Sequence, residues 1–167
     1  MLLVELLVAF AVLAVLAGLA LPSFQLLIRL HRVRTVVQDL QSDIVWARAE
    51  SIRRGTPVVL RFEADACPAA PTEARQRCGW IVFDDTSRDE IRQDDETLLR
   101  SAAAPAGTTV RYSAGSESVA FDGRGNMSKT GNSFTVAAVG ALPQDPTTRT
   151  LCVSSGGRTR VEQGSAC

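Results

Sequence analysis

Met1-Leu2-Leu3-Val4-Glu5-Leu6-Leu7-Val8-Ala9-Phe10 begins a stretch with a single charge, Glu5, ahead of Arg29. From Leu6 to Leu21 every residue is apolar, and the run from Leu6 to Ile28 is 23 residues long. At about 1.5 Å per residue a helix of that length measures ~34 Å, enough to cross the hydrocarbon core of a bilayer. A cleaved secretory signal has a basic segment ahead of a shorter apolar stretch and a small-residue cleavage site. Nothing basic precedes this run, and the helical pattern continues beyond it, so a retained membrane helix is expected. A carboxylate placed in lipid costs roughly 2.5–3.5 kcal/mol on insertion scales. Glu5 therefore either sits at the interface near a helix start, where the dipole favours it, or pairs with the N-terminal amine of a neighbouring copy in an assembly. Pro22 removes one helical N–H and, with Gly18 a turn earlier, is expected to kink or loosen the helix.

Working outward, the helix turns amphipathic. Leu30, Val33, Val37, Leu40, Ile44, Ala47 and Ser51 recur at steps of three and four, which is one face of a 3.6-residue period. Arg32, Arg34, Gln38, Asp39, Gln41, Asp43 and Arg48 fall mostly off it. Gly55 and Pro57 read as a stop, giving a helix of about 54 residues, or ~80 Å. No small domain buries that length, so the first half must find lipid or other subunits. The remaining residues suffice for one domain with its own core. Their pattern is β: Val58–Phe62, Trp80–Phe83, Leu98–Arg100, Thr109–Tyr112, Val119–Phe121, Ser133–Val139, Thr150–Val153 and Arg158–Val161. Turn signals lie between them, as in Asp122-Gly123-Arg124-Gly125-Asn126, so an antiparallel sheet is expected.

The four cysteines are Cys67, Cys78, Cys152 and Cys167. Their spacing lacks the close pairs of a zinc site. On the exported side of a membrane anchor an even count points to disulfides. Three connectivities are open; Cys67–Cys78 and Cys152–Cys167 each close a short, turn-rich segment, worth roughly 3 kcal/mol apiece in the chain-entropy account.

Enzymatic readings find little support. The single histidine, His31, lies at the membrane edge, which leaves a nucleophile–histidine arrangement nothing to work with. Gly123-Arg124-Gly125 lacks the strand–loop–helix context of a phosphate-binding loop. Asp84-Asp85 and Asp94-Asp95-Glu96 do not have EF-hand spacing and read as a solvated loop. No cofactor, metal or catalytic residue is expected.

Leu3-Val4-Glu5-Leu6-Leu7-Val8, with Leu21-Pro22-Ser23-Phe24 after the apolar run, resembles the N-terminus of mature type IV pilins and pseudopilins. Trp46-Ala47-Arg48-Ala49-Glu50-Ser51-Ile52-Arg53-Arg54-Gly55-Thr56-Pro57-Val58 resembles the helix end and first strand of the FimT/FimU/GspH group of minor subunits. Met1 stands where that family usually has Phe, and Leu2 where Thr or Ser is common. The resemblance implies an α+β, type IV pilin-like fold, with a long N-terminal helix packed on an antiparallel β-sheet head. It divides the chain into a transmembrane and filament-core segment, 1–28, and a periplasmic or extracellular head, 29–167. The head comprises the helix's second half, 29–54, and a β-rich part, 55–167. It further implies processing by a prepilin peptidase with N-methylation at Met1, a single pass through the inner membrane before assembly, Glu5-guided packing with other major and minor pilins, and display at the cell surface.

One basic constellation remains. The formal net charge is zero, yet of the 18 basic residues only Lys129 is a lysine. Guanidinium suits bidentate phosphate contact. Arg158 and Arg160 are two apart, so on a strand they share a face. Lys129, Arg124 and Arg149 would extend the patch if the fold brings them near. Gly157-Arg158-Thr159-Arg160 resembles the Gly-Arg-x-Arg motif of FimT-type minor pilins that bind DNA in natural transformation, which implies DNA as a partner. Glu162, two past Arg160, would weaken the patch, and aromatics for base stacking are scarce, favouring backbone contact. The alternative is a structural minor pilin, or a GspH-like pseudopilin of type II secretion, that primes or caps a filament without touching DNA.

Overall fold

The stripe on the helix closes against strands from two sheets. The computed structural model describes residues 3–63, 76–113, 117–129 and 132–167, with the side chains of 15–23 and of residue 76 outside that description. Helix α1 (Leu3–Arg54) is followed by β1 (Val58–Glu63), β2 (Gln76–Arg77), β3 (Gly79–Asp84), β4 (Leu98–Ala103), β5 (Thr108–Tyr112), β6 (Ser118–Phe121), β7 (Asn132–Ala138), β8 (Thr148–Val153) and β9 (Thr159–Gln163). One sheet runs β4-β3-β1-β6 and the other β2-β5-β7-β8-β9, all pairs antiparallel. The sequence pattern predicts antiparallel strands; their division into two sheets and the short β2 were not legible in it.

The helix is one continuous element through position 22. Met1, Cys67 and the Pro22 side chain lie outside the described residues. Among the described residues no helix is long and apolar enough to cross a membrane; the run from Leu6 to Leu21 passes through side chains outside the description. Glu5 lies in the first turn and is exposed, as are Leu3, Leu7, Phe10 and Leu13 around it.

From Val33 onward the predicted face is buried. Val33, Val37, Leu40, Ile44, Ala47 and Ser51 are all inaccessible, with Leu30 at the rim. Val33, Val37, Leu40, Ile44 and Ala47 share one core with Leu60 and Phe62 of β1, Trp80 and Val82 of β3, Phe134 and Val136 of β7, and Leu151 of β8. Strand alternation supplies these inward side chains from both sheets. Burying a large apolar side chain contributes about 1.5–3 kcal/mol, so this seam is what fixes the helix on the head.

Asp43, off the predicted stripe, is also buried. Its carboxylate accepts hydrogen bonds from Trp80 Nε1 at 2.8 Å and Arg100 Nη1 at 2.7 Å. The loop between β3 and β4 departs from expectation in a similar way. Its composition predicts a solvated loop, but Asp85 and Glu96 are buried and accept from backbone N–H groups of residues 87, 89, 90 and 93. A loop with many backbone donors turned inward needs acceptors, and these two carboxylates supply them.

The helix ends where Gly55, at φ +70°, donates its N–H to Ser51 O at 2.9 Å. In the preceding turn Glu50 is buried and accepts from Arg53 Nε (2.7 Å) and Nη2 (2.5 Å) and from Arg54 Nε (2.6 Å). The Arg53 and then Arg54 hydrogen bonds push its pKa down from an ordinary 4.5 to about 2. A carboxyl with a depressed folded pKa stabilises the fold fully above its unfolded pKa, and the contribution is lost as pH falls through the folded value. The Glu50 contribution should therefore fade between pH ~4.5 and ~2. In urea titrations across that window, Glu50→Gln is expected to lose stability more gently with acid than the parent. Parallel slopes would show that the clamp does not contribute.

Candidate nucleic-acid interface

Among the described residues β9 is the edge strand of the second sheet and pairs only with β8. Its alternation sorts the motif residues. Thr159 faces the helix, where its hydroxyl accepts from Gln41 Nε2 at 3.0 Å. Arg160 is opposite Cys152 on the outer face and is exposed. Arg158, just before the strand, is exposed as well. The two arginines line one surface groove of about 620 Å3 with Asn132, Ser133 and the Cys152–Cys167 disulfide. The bridge predicted for this pair is present. Cys78 is disulfide-bonded too; Cys67, its expected partner, lies outside the described residues.

The glycine of the motif has a local reason. Gly157 has φ +73° and is buried. A Cβ there would lie 2.9 Å from Arg48 Nη1. Arg48 donates from Nη1 to Gly156 O at 2.9 Å. The 154–158 turn is closed by Gly157 N–H to Ser154 O and Ser154 N–H to Arg158 O. Thus α1 grips the inward side of the motif at Arg48 and Gln41, and the outward side carries the two guanidinium groups. Sequence reasoning missed Arg48. It stands inside the Trp46–Val58 motif, but its contact spans 108 residues and leaves no local signal.

The other candidate cations separate. Arg124 is exposed on the 122–126 turn, which packs first on Ile52 and then on Arg48: a Cβ at Gly125 would sit 2.7 Å from Ile52 Cδ1 and 3.5 Å from Arg48 Cγ. Arg149 faces the helix and shares a small groove with Arg34, Gln38 and Val161. Lys129 is held by Glu90 at 2.6 Å. Burial opposes the Glu90 charge, but bonds from Lys129 and Ser118 hold its carboxyl below the usual range. Glu162 pairs with Arg160 at 3.1 Å, so the expected competitor is present. Among the described residues no group of His, Cys, Asp and Glu has the arrangement of a metal site.

A long N-terminal helix whose second half is seated on an antiparallel head is the architecture of the pilin and pseudopilin class of subunits. Residues 36–157 match the family model described as Type II transport protein GspH, and the chain belongs to that family, whose members are structural subunits rather than enzymes. The fold is similar to the type IV minor pilin FimU of Pseudomonas aeruginosa, with a TM-score of 0.57 at 16% identity over 78% of this chain and 87% of that one. It is also similar to the minor pseudopilin EpsH from the type II secretion system of Vibrio cholerae, with a TM-score of 0.52 at 14% identity over 79% and 97% of the two chains. No curated protein sequence matches.

Proposed function

We propose that this protein is a minor pilin of a type IV pilus that binds DNA without sequence preference during DNA uptake. The observation that supports this is the exposed pair of Arg158, just before an edge strand, and Arg160 on it, in a segment whose inward side is fastened to the helix. Two pre-positioned guanidinium groups can each meet a phosphate and release its counterion, which gives weak, salt-sensitive affinity. Arg124, on the turn that shares Arg48, is a third contact. In this reading the apolar half of α1 holds the subunit in the inner membrane. A prepilin peptidase exposes Met1, and Glu5 meets a neighbour's N-terminus as the subunit joins other pilins.

The buried core begins at Val33, so residues 29–167 keep all of it and serve for binding assays. The head is expected to bind duplex DNA at low salt, with Arg158→Ala plus Arg160→Ala lowering affinity about tenfold or more and flattening the log–log salt slope by roughly two. Glu162→Gln, which frees Arg160, should strengthen binding. No binding at low salt, or binding indifferent to these changes, leaves the second reading: a GspH-like subunit that primes or caps a filament. The Arg160–Glu162 pair, which neutralises half of the motif's charge, favours that reading.

A further inference from the structure

The two ends of the head differ in chemistry. At the end where α1 terminates, the loops are charged: Asp85 to Glu96, and the turn with Asp122 and Arg124. At the opposite end the loop Ala104-Pro105-Ala106-Gly107 carries no charged side chain, and the longer loop from β7 to β8 opens with the uncharged run Val139-Gly140-Ala141-Leu142-Pro143 and holds one charge, Asp145. Val139 is 63% and Leu142 68% exposed, the two most exposed large apolar side chains among the described residues of the head. The loops are tied to each other and to the helix. Val139 N–H donates to Gly107 O at 2.9 Å, and Arg32 Nη1 donates to Ala106 O at 3.1 Å. Asp145, held below its usual range first by the Thr147 N–H and hydroxyl, also feels the charge of Arg29. Both loops therefore reach the level of Arg29 and Arg32, the first cationic residues after the apolar run ends at Ile28.

We infer that Val139 and Leu142 form a foot that rests in the interfacial layer of the bilayer while the subunit awaits assembly, with Arg29 and Arg32 at anionic headgroups. This rests on the reading of α1 as membrane-anchored. The occupant follows from continuity: the patch adjoins the exit point of a lipid-length apolar segment of the same chain, and a residue there lies within the ~5–10 Å layer that interfacial side chains occupy. Cations at this level are drawn to anionic lipid. The foot would seat the head upright and leave Arg158, at the far end, facing away from the membrane.

The test uses the full chain in vesicles of phosphatidylethanolamine and phosphatidylglycerol with brominated acyl chains, which quench tryptophan on contact. Trp46 lies ~26 Å along the helix from Arg29 and Trp80 is buried, so the native background is out of reach. Leu142→Trp and, independently, Val139→Trp are each expected to show roughly twofold quenching of the added emission, as befits interfacial depth. Phe10→Trp reports insertion of the helix itself. Quenching at position 10 with none at 139 or 142 overturns the foot and leaves the anchor standing. No quenching at any of the three overturns both. A blue shift at 142 that grows with protein concentration, without bromine quenching, assigns the patch to a neighbouring subunit and also overturns it.

Discussion

Asp43→Ala is expected to destabilise the head by about 3 kcal/mol, measured as the shift in urea midpoint of residues 29–167 at constant slope. The magnitude follows from what each partner can do after truncation. Trp80 is 1% exposed, so its Nε1–H, now bonded to Asp43 at 2.8 Å, cannot reach water and is left unsatisfied. That alone costs about 1–3 kcal/mol, and the space left by the carboxylate adds to it. Arg100 has another option. Its side chain is 41% exposed and lies over Trp46, with Cζ 4.0 Å from the ring centroid, so it can turn to solvent or keep its cation–π contact. The full penalty for an orphaned buried ion, about 3–5 kcal/mol, does not apply. Asp43→Asn keeps an oxygen for Trp80 and should cost about 1 kcal/mol or less. Equal losses for Ala and Asn would shift the explanation from the indole N–H to the Arg100 pair. Because Asp43 joins α1 to β3 and β4, its loss also loosens the helix that positions the Arg158 turn.

Asp43 shows where a sequence reading stops. Periodicity located the buried face because apolar burial repeats every three or four residues, and each predicted core position from Val33 to Ser51 is inaccessible. A buried carboxylate leaves no such trace: its partners are 37 and 57 residues away, and alone it looks like any off-stripe acid. Asp85 and Glu96 are the same case, polar in composition yet turned inward to serve backbone donors. Strands were legible from alternation and turn chemistry, but which strands share a sheet depends on non-local pairing. In the motif, alternation along β9 turns Thr159 toward the helix and Arg160 to the outer face, while Arg158 precedes the strand and is exposed. What it could not supply was the helix's grip through Arg48 and Gln41, or the placement of Arg149 on the opposite face and of Lys129 on Glu90.

Gly123→Ala is expected to cost about 3 kcal/mol, at the upper end of overpacking penalties, in the same urea assay. A Cβ at position 123 would lie 2.3 Å from Gly55 O and 2.5 Å from its carbonyl carbon. Both are backbone atoms at the end of α1, so no rotamer change relieves the clash; the 122–126 turn must lift off the helix. That turn is internally tied by Asp122, which accepts from the N–H groups of Arg124 and Asn126, and so moves as a unit. Gly55 provides the control, because it lies in the same contact for another reason. Its φ is +70° and a Cβ there would have nothing within 4 Å. Gly55→Ala should cost only the left-handed backbone penalty, roughly 1–2 kcal/mol, and Gly55→Asn less, since Asn tolerates that region. No side chain relieves Gly123, so Gly123→Asn should be at least as damaging as Gly123→Ala. If Gly123→Ala proved as mild as Gly55→Ala, this backbone contact would not clamp the turn on the helix end, and Ile52 and Arg48 at Gly125, with Arg48 at Gly156, would be left to join α1 to the Arg124 and Arg158 turns.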